Sequence, residues 1–329
     1  MARLDAPRLM VIGSINIDLV ADVERLPREG ETVAARGFQQ HLGGKGANQA
    51  AAAALAGAQV KMVGCVGDDG FGRQCLEGLE RAGVDCSLVR TAPGTPTGTA
   101  LITVGRRGEN TIVVVPGANG ALAAADVERV AAAMADADAV LVQFEVADEV
   151  VLAAARAVDG LRTGGRSEKP LFVVNPSPFR PSAVPPDGLA DMFVVNEVEA
   201  RQMTGVDVSD PQSAAEAARA LLRRVRPGGC VVVTLGEQGA VALAGGGEPP
   251  LYVPALKVQA VDTTGAGDTF MGCLLAELCA GRRLAEALRF ATAAAAISVT
   301  RPGAQSSFPR RAEVEARLAE VPAAQPLSG

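Results

Sequence analysis

Leu9-Met10-Val11-Ile12-Gly13-Ser14-Ile15-Asn16-Ile17-Asp18 contains the pattern that decides the fold: a short apolar run followed at once by glycine and polar residues. Comparable runs, separated by Ala-rich stretches at helical spacing, occur at Lys61 to Val63, Ala139 to Val142, Leu171 to Val174, Met192 to Val195 and Val231 to Thr234. Continuous apolar runs are typical of strands that are covered on both faces. Their alternation with helical stretches predicts an α/β fold with a mostly parallel central sheet flanked by helices.

The residues that follow these runs indicate where a ligand would bind, because ligands of such sheets lie beyond the carboxyl ends of the strands. Polar or glycine residues follow nearly every run, at Gly13 to Asp18, Gln143 to Glu145, Asn175 to Ser177, Asn196 to Glu197 and Leu235 to Glu237. Asn16 and Asp18 share one side of an extended strand, since side chains alternate with a period of two. They either bind adjacent hydroxyl groups of a polyhydroxy compound or form a solvated strand end, and the local sequence leaves both interpretations open.

A second β element is predicted at Thr99 to Val104 and Asn110 to Val115, which are joined by Gly105 to Gly108 and are typical of a hairpin. With the extended segment Leu19 to Phe38, this hairpin predicts a small separate sheet. We expect that sheet to lie over the crevice as a lid that excludes water. The alternative is a hairpin at the edge of the main sheet. No linker separates a second domain, so we predict one domain over residues 1–329.

Composition excludes several functional classes. The 329 residues carry a net charge of −6, with only 3% aromatic residues and no Trp, which predicts no nucleic-acid partner. The six cysteines form no Cys-x-x-Cys pair and His41 is the single histidine, so neither a tetrahedral metal site nor a histidine-activated nucleophile is expected. No apolar run approaches the roughly 20 residues of a membrane span, and Met1 to Arg8 lacks the apolar core of a signal peptide. We therefore predict a cytoplasmic protein with no membrane partner.

The strongest chemical signal is Asp262-Thr263-Thr264-Gly265-Ala266-Gly267-Asp268, which opens into a stretch with the apolar spacing of a helix that stops near Gly281. A glycine turn lets the backbone approach a ligand, and the amide groups of a helix N-terminus attract anions such as phosphate. Asp268 would stand beside the anion as a base that accepts a proton from an attacking hydroxyl. The alternative is a simple helix cap, which the local sequence leaves equally open. Neither a Walker A loop nor a dinucleotide-binding fingerprint is present.

A second glycine turn, Gly43-Gly44-Lys45-Gly46-Ala47-Asn48-Gln49-Ala50, also runs into an Ala-rich helix. Lys45 and Asn48 near the start of that helix would offer ammonium and amide donors to a polyhydroxy compound. Glycine turns before helices are common, so a purely structural turn is the alternative at this position.

Together these segments resemble the ribokinase family of carbohydrate kinases. The resemblance extends from about Val11 to Phe308 and includes Gly108 to Asn110, Thr234 to Gly239 and Val299 to Gln305. It implies a three-layer α/β/α core with a small β lid, formed by about residues 16–45 and 97–117, which also joins two subunits into a homodimer. It also implies transfer of the γ-phosphoryl group of ATP to a sugar, most specifically to O5 of D-ribose.

The resemblance further implies site residues by their position in the matching segments. The residues implied for sugar binding are Asn16, Asp18, Gly44, Lys45, Gly46, Asn48 and Glu145, with Asp268 as the base and Gly265, Ala266 and Gly267 as an anion hole. Those implied for ATP are Asn196, Thr234, Leu235, Gly236, Glu237, Gln238, Gly239, Gly267 and Thr292. Those implied around K⁺, several through backbone carbonyls, are Asp262, Thr264, Ser298, Arg301, Gly303 and Ser307. Mg²⁺ would arrive with ATP, and Glu199 would order it through water.

The sequence leaves several alternatives open. Thr292 stands where the family can carry a histidine near the adenine, so the nucleotide-base preference stays open. Within the family, a fructokinase-like or adenosine kinase-like enzyme is the runner-up, although Lys45 and Asn48 favour ribose. A sugar-binding sensor without catalysis is a further alternative, against which Asp268 and its intact glycine turn stand. A dehydrogenase is disfavoured because the dinucleotide fingerprint is missing.

Overall fold

The structure, a computed structural model, describes residues 6–163 and 169–327. The single-domain prediction also includes residues 1–5, 164–168 and 328–329, which lie outside the described residues. Within the described ranges the strands are β1 (Arg8–Ile12), β2 (Asn16–Val23), β3 (Ala35–Gly43), β4 (Gln59–Gly67), β5 (Val84–Ala92), β6 (Gly98–Val104), β7 (Asn110–Val115), β8 (Ala139–Gln143), β9 (Leu171–Asn175), β10 (Met192–Asn196), β11 (Cys230–Thr234), β12 (Ala240–Ala244), β13 (Leu251–Val253) and β14 (Gln325–Pro326).

The main sheet has ten strands in the order β14-β13-β12-β11-β10-β9-β8-β1-β4-β5. Pairing is parallel from β5 through β11, and the strands β12 to β14 add an antiparallel edge. All six apolar runs identified in the sequence lie in this sheet, in strands β1, β4, β8, β9, β10 and β11. The prediction of a mostly parallel central sheet is therefore confirmed.

Helices cover both faces of the main sheet. They are α1 (Lys45–Leu55), α2 (Gly70–Ala82), α3 (Ala124–Met134), α4 (Asp148–Thr163), α5 (Glu197–Thr204), α6 (Pro211–Leu222), α7 (Ala266–Cys279), α8 (Leu284–Ser298) and α9 (Arg311–Arg317). Leu9 and Val11 pack into one apolar cluster with α1, α2, α7 and α8, whereas Met10 and Ile12 pack into a second cluster with α3, α4, α5 and α6. Because strand side chains alternate between the two faces, one short run feeds both clusters. The expected three-layer α/β/α core is confirmed.

Small residues let α1 and α7 lie unusually close together. A Cβ atom at Gly272 of α7 would stand 2.5 Å from the carbonyl oxygen of Gln49 and 2.7 Å from the amide nitrogen of Ala53, both in the backbone of α1. Only glycine fits this position, because real Cβ atoms do not approach backbone atoms so closely. The close contact brings the first turns of the two helices together at the carboxyl edge of the sheet.

The small sheet is separate from the main one and has the order β3-β2-β6-β7. The hairpin β6–β7 is confirmed, and the alternative in which it edges the main sheet is wrong. The strands before it differ from the predicted extended segment, since β2 ends at Val23 and β3 begins at Ala35. Pro27 and Gly30, whose φ is 74°, fall in the intervening loop and interrupt strand geometry there.

Among the residues that the structure describes, no helix combines the length and apolar character needed to cross a membrane.

Candidate active site

The start of α7 is a glycine turn with two different steric situations. Gly265, the residue before the helix, has φ of 74°, and a Cβ atom there would lie 3.0 Å from Cε1 of Phe308. Gly267 has no such restriction, because a Cβ atom would meet nothing within 4 Å. The Ala266 amide donates to the carbonyl of Thr263 at 3.2 Å, closing the turn. The backbone of Gly267 is thus open to a ligand, and that of Gly265 is held in place behind it.

Asp268 faces α1 instead of capping its own helix. Its Oδ2 atom accepts a hydrogen bond from Nδ2 of Asn48 at 2.9 Å, and its Oδ1 atom accepts one from Nε2 of Gln49 at 2.9 Å. Burial raises the pKa of the Asp268 carboxyl, against the opposing effects of the Lys45 ammonium and of these two amide donors. Asp268 is buried and is held by side chains of a neighbouring helix. These surroundings favour a functional role for the carboxylate over that of a helix cap.

A cavity of about 230 Å³ lies in front of Asp268, where the starts of α1, α5 and α7 meet the carboxyl ends of β9, β10 and β11. It is lined by Lys45, Asn175, Ser177, Val194, Val195, Asn196, Glu199, Thr234, Thr263, Gly265, Ala266, Gly267, Asp268 and Met271. Eight of the residues implied by sequence resemblance are in this lining: Lys45, Asn196, Glu199, Thr234, Gly265, Ala266, Gly267 and Asp268. The carboxyl edge of the sheet is therefore where these segments converge.

Lys45 and Glu145 stand next to each other at the mouth of the second glycine turn. The Lys45 amide donates to Oε2 of Glu145 at 3.0 Å, and the Ser14 hydroxyl donates to the same oxygen at 2.5 Å. Burial alone would lower the pKa of the Lys45 ammonium, but the negative charges of Asp268 and Glu145 outweigh it and raise that pKa. Lys45 therefore stays cationic among carboxylates.

The backbone of this turn requires glycine. Gly44, which precedes α1, has φ of 89° and ψ of 126°, and a Cβ atom there would lie 2.8 Å from the amide nitrogen of Asn16. At Gly46, a Cβ atom would lie 2.7 Å from the carbonyl carbon of Gly13. The start of α1 is consequently pressed against the loop that follows β1, which brings that loop and Lys45 to one place.

Asn16 and Asp18 lie at the start of β2 and differ in their surroundings. Asn16 is buried, and its Oδ1 atom accepts a hydrogen bond from Nδ2 of Asn119 at 2.7 Å, which joins β2 to the turn after β7. Asp18 is half-buried, and burial, with Glu145 and Asp268 nearby, raises the pKa of its carboxyl to about 7. Of the two side chains, Asp18 is the one whose carboxyl interacts electrostatically with the Asp268 carboxyl.

On the other side of the cavity, Asn196 and Glu199 cap α5 reciprocally. The Glu199 amide donates to Oδ1 of Asn196 at 2.9 Å, and the Asn196 amide donates to Oε2 of Glu199 at 3.0 Å. Thr234 ends β11 beside them, and its hydroxyl donates to the carbonyl of Val195 at 3.3 Å. These three residues form a further edge of the cavity, and the Glu199 carboxylate interacts electrostatically with the Lys45 ammonium.

The residues after β11 and in α8 do not line this cavity. Leu235 is buried, its amide donates to the carbonyl of Gly239 at 2.8 Å, and Gly236 and Glu237 lie in the same tight turn. The side chain of Gln238 donates to the carbonyl of Ser209 at 3.0 Å. Thr292 is buried in α8, and its hydroxyl has no hydrogen-bond partner among the described residues.

Asp262 ties two loops together beside the start of α7. Its Oδ1 atom accepts hydrogen bonds from the amide and hydroxyl of Thr264 at 2.9 and 2.6 Å, and its Oδ2 atom accepts one from the Gly303 amide at 2.8 Å. Burial opposes ionisation, but these hydrogen bonds keep the pKa of the Asp262 carboxyl below its usual value. Ser298 and Ser307 donate to backbone carbonyls, and the Arg301 side chain pairs with Glu313. Within the described residues, no group of three or more His, Cys, Asp or Glu side chains is placed to hold a metal ion.

Several site residues were not assigned a role from the sequence. Gln49 contacts Asp268 directly, Gln143 donates to Oε1 of Gln49 at 2.7 Å, and Gln305 donates to Oδ1 of Asn48 at 3.1 Å. Asn175 accepts from Gln49 at 3.0 Å and, with Ser177, lines the cavity. Gln143, Asn175 and Ser177 follow predicted strands, so the strand-end rule contained the signal for them. Gln49 had no signal besides its place next to Asn48.

The chain is similar to known carbohydrate kinases over most of its length. A family model described as pfkB family carbohydrate kinase matches residues 6–311. The ribokinase of Haemophilus influenzae is 38% identical over 307 residues, covering 93% of this chain and 96% of that protein. The deoxyribokinase of Salmonella typhi is 36% identical over 302 residues, covering 92% of this chain and 95% of that protein. The structure of Arabidopsis thaliana ribokinase complexed with ribose and ATP is 33% identical, covers 95% of this chain and 99% of that chain, and superposes with a TM-score of 0.82.

Proposed function

The chain belongs to the pfkB family of carbohydrate kinases, and on that premise we propose that it transfers the γ-phosphoryl group of ATP to O5 of D-ribose, giving ribose 5-phosphate and ADP. The observation that carries the proposal is Asp268, a buried carboxylate between the glycine turn of α7 and the polar side chains of α1. Phosphoryl transfer depends on positioning and charge stabilisation, which suits a chain with one histidine.

In the proposed mechanism, Asp268 accepts the proton of the sugar hydroxyl as that oxygen attacks phosphorus. Burial raises its pKa, which makes it a better proton acceptor than an ordinary carboxylate, while the Lys45 ammonium and the amides of Asn48 and Gln49 favour its charged form. General-base assistance of this kind is generally worth about 10²- to 10⁴-fold in rate. Asp18, Asn48 and Glu145 would bind other hydroxyls of the sugar, with Gly44 and Gly46 shaping the floor beneath it.

The start of α7 would stabilise the charge on the phosphoryl group. The open backbone of Gly267 and the fixed turn at Gly265 present a helix N-terminus to the cavity, and such a terminus favours anions. The Ala266 amide is already engaged with Thr263, so we assign it a smaller share of the anion hole than the sequence resemblance implied.

The cavity edge formed by Asn196, Glu199 and Thr234 suits the phosphates of ATP, because it combines amide and hydroxyl groups with the nearby Lys45 ammonium. Leu235 to Gly239 and Thr292 would lie further along the nucleotide. The buried Thr292 hydroxyl has no hydrogen-bond partner in the described part of the chain, and a nucleotide group would satisfy it. Mg²⁺ neutralises phosphate charge when bound with ATP. Glu199 uses both carboxylate oxygens in contacts with Asn196, which fits a contact to the ion through water better than direct coordination.

The loop held by Asp262 has the donor chemistry of a K⁺ site. Its oxygens come from a carboxylate, hydroxyls and backbone carbonyls, the ligands that hard cations prefer. Arg301 would contribute only its carbonyl, since its guanidinium pairs with Glu313. A cation here would fix the shape of the adjoining α7 turn. Replacing K⁺ with a bulky organic cation should reduce the rate, and indifference to that exchange would remove the cation from the proposal.

We also propose that the small sheet acts as a lid and as the contact between two subunits. Every residue of β7 is exposed, and this edge strand presents Ile112, Val113, Val114 and Val115 to solvent. Leu101 on β6 is 47% exposed and extends the apolar surface. An exposed apolar edge strand is a surface that proteins normally cover, which supports a homodimer formed through this sheet. We propose a cytoplasmic location, where ATP and K⁺ are available.

The proposal is tested by ADP release with D-ribose, 2-deoxyribose, fructose and adenosine as acceptors. We expect D-ribose to give the highest kcat/KM. Because the chain is 36% identical to a deoxyribokinase, 2-deoxyribose is the second candidate substrate. A higher kcat/KM for 2-deoxyribose than for D-ribose would make 2-deoxyribose the assigned acceptor. Background turnover with all four acceptors would overturn the kinase assignment.

A further inference from the structure

Two glutamine side chains that have no role in the proposed reaction belong to the hydrogen-bond network around Asp268. Gln49 is 1% exposed, and its Nε2 atom donates to Oδ1 of Asp268 at 2.9 Å. Gln305, in the loop after α8, donates to Oδ1 of Asn48 at 3.1 Å, and Nδ2 of Asn48 donates to Oδ2 of Asp268 at 2.9 Å. Each carboxylate oxygen of Asp268 therefore accepts one hydrogen bond from a side-chain amide. Each of these donating amides is itself hydrogen-bonded to another residue.

The sheet fixes the orientation of the Gln49 amide. Its Oε1 atom accepts a hydrogen bond from Nε2 of Gln143 at 2.7 Å, and its Nε2 atom also donates to Oδ1 of Asn175 at 3.0 Å. Asn175 is anchored in turn, because its Nδ2 atom donates to the carbonyl of Val194 at 2.9 Å. A rotated Gln49 amide would direct its oxygen at the Asp268 carboxylate and its nitrogen at an amide donor. Asp268 and Asn175 therefore set the orientation of the Gln49 amide, because both present acceptor oxygens to its nitrogen.

The loop after α8 fixes the orientation of the Asn48 amide. Since Gln305 occupies the oxygen of Asn48, the nitrogen of Asn48 faces Asp268. That loop is held to the turn before α7 by the hydrogen bond between the Gly303 amide and Asp262. The two sides of the carboxylate thus depend on different parts of the fold, the sheet for Oδ1 and the loop for Oδ2.

We propose that Gln49 and Gln305 are positioning residues that hold the Asp268 carboxylate in one orientation, Gln49 directly and Gln305 through Asn48. The inference rests on the proposed role of Asp268 as the base. A buried carboxylate without donors would tend to take up a proton and turn away, and a protonated group does not accept the hydroxyl proton. Amide donors on both oxygens oppose this without adding charge, and they leave the remaining lone pairs for the sugar hydroxyl.

The test compares the pH dependence of kcat in the wild-type protein with that of Gln49→Met and Gln305→Met, which keep side-chain length and remove the donor. Removing a hydrogen bond to a charged group is comparable in energy to one pKa unit, so the acid limb of Gln49→Met should move upward by about one pH unit. Its plateau kcat should fall about 10-fold or more because the base is less well placed. Gln305→Met should shift the limb in the same direction by less, and KM for ATP should stay within about twofold.

Three charged groups also face Asp268, namely Lys45, Asp18 and Glu145. These three groups are unchanged in both glutamine variants. A difference in the acid limb of kcat between a variant and the wild-type protein is therefore due to the lost amide donor. Val158→Ala, a buried change in α4 in the opposite helical layer, serves as the control for lost stability. We expect it to lower Tm without moving the limb. Calorimetric binding of D-ribose in the absence of ATP adds a readout that does not require turnover, and both glutamine variants should bind it more weakly.

Folded Gln49→Met with a wild-type limb, plateau and ribose affinity would overturn the inference. If Gln49→Met does not fold, Gln305→Met decides, because its side chain is only half-buried, and an unchanged limb there would overturn the inference as well. Asp268→Asn separates this failure from that of the proposed function. Full turnover in Asp268→Asn removes the base itself, whereas an inactive Asp268→Asn with wild-type profiles in both glutamine variants removes only the positioning role.

Discussion

Replacing Gly267 with Ala should separate stability from activity. Gly267 is the second residue of α7, is exposed, and has open space in the direction of a new Cβ atom. An alanine that fits the native backbone restricts the unfolded chain and is generally worth about 0.4–1 kcal/mol of stability. With an unfolding entropy of about 2.1 cal/mol/K per residue, this gain corresponds to a rise in Tm of about 1 °C in a chain of 329 residues.

Gly267 lines the cavity in front of Asp268, where we place the transferring phosphoryl group. A methyl group there would keep that group away from the α7 backbone. Loss of one such donor in other enzymes costs about 10²- to 10³-fold in kcat, so we expect Gly267→Ala to lower kcat by about 10²-fold.

Gly160→Ala is the matched control. Gly160 is an exposed glycine of α4 with nothing within 4 Å of a new Cβ atom, and it lies far along the chain from the cavity residues of α7. Both variants should unfold at or slightly above the wild-type Tm in a thermal denaturation experiment, and only Gly267→Ala should lose ribose-dependent ADP release. Equal activity in the two variants would refute the position given to the phosphoryl group.

Three further predictions concern substitutions at Gly44, Asp18 and Ile112. Gly44→Ala combines strain at φ of 89° with backbone clashes, and Gly83→Ala imposes strain at φ of 93° in open space. Urea denaturation should therefore show Gly44→Ala to be less stable than Gly83→Ala by about 1–3 kcal/mol, and equal stabilities would contradict the geometry. Asp18 has a folded pKa of about 7 above its usual 3.8, so its neutral form favours folding at low pH and the benefit is lost as pH rises from about 4 to 7. Asp18→Asn should flatten that fall, by up to about 3 kcal/mol, when urea denaturation is compared at pH 5 and pH 8, and an unchanged slope would argue against the buried carboxyl. Ile112→Lys on the exposed edge strand should shift the mass measured by light scattering from dimer to monomer, and an unaltered mass would place the subunit contact elsewhere.

Much of the fold was predictable because the buried parallel strands consist of uninterrupted apolar runs. The strands of the main sheet that the sequence did not reveal are β5, at one edge, and β12 to β14, at the opposite end of the strand order. β5 is a half-exposed edge strand that mixes polar and apolar residues, and β12 has the sequence Ala240 to Ala244, which has helix-like composition. Edge position and pairing partner, which decide these cases, depend on tertiary contacts and leave little trace in local sequence.

The site was predictable where glycine turns and strand ends mark it, and not where distant side chains meet. Asp268 and Lys45 stand in recognisable turns. The hydrogen bonds of Asp268 to Asn48 and Gln49 join residues 220 and 219 positions apart, and they depend on the close approach of α1 to α7 at Gly272. A glutamine within an Ala-rich helix carries no sign of such a partner, so its contact with the carboxylate becomes visible only in the packed structure.

The role of Asp268 as the base is tested most directly by D-ribose-dependent ADP release by Asp268→Asn beside the wild-type protein, with ATP binding followed by calorimetry on both. We expect turnover to fall by at least about 10²-fold while ATP affinity is kept, because the change removes the proton acceptor and leaves the nucleotide side of the cavity intact. Undiminished turnover in Asp268→Asn, with normal ATP binding, would contradict it.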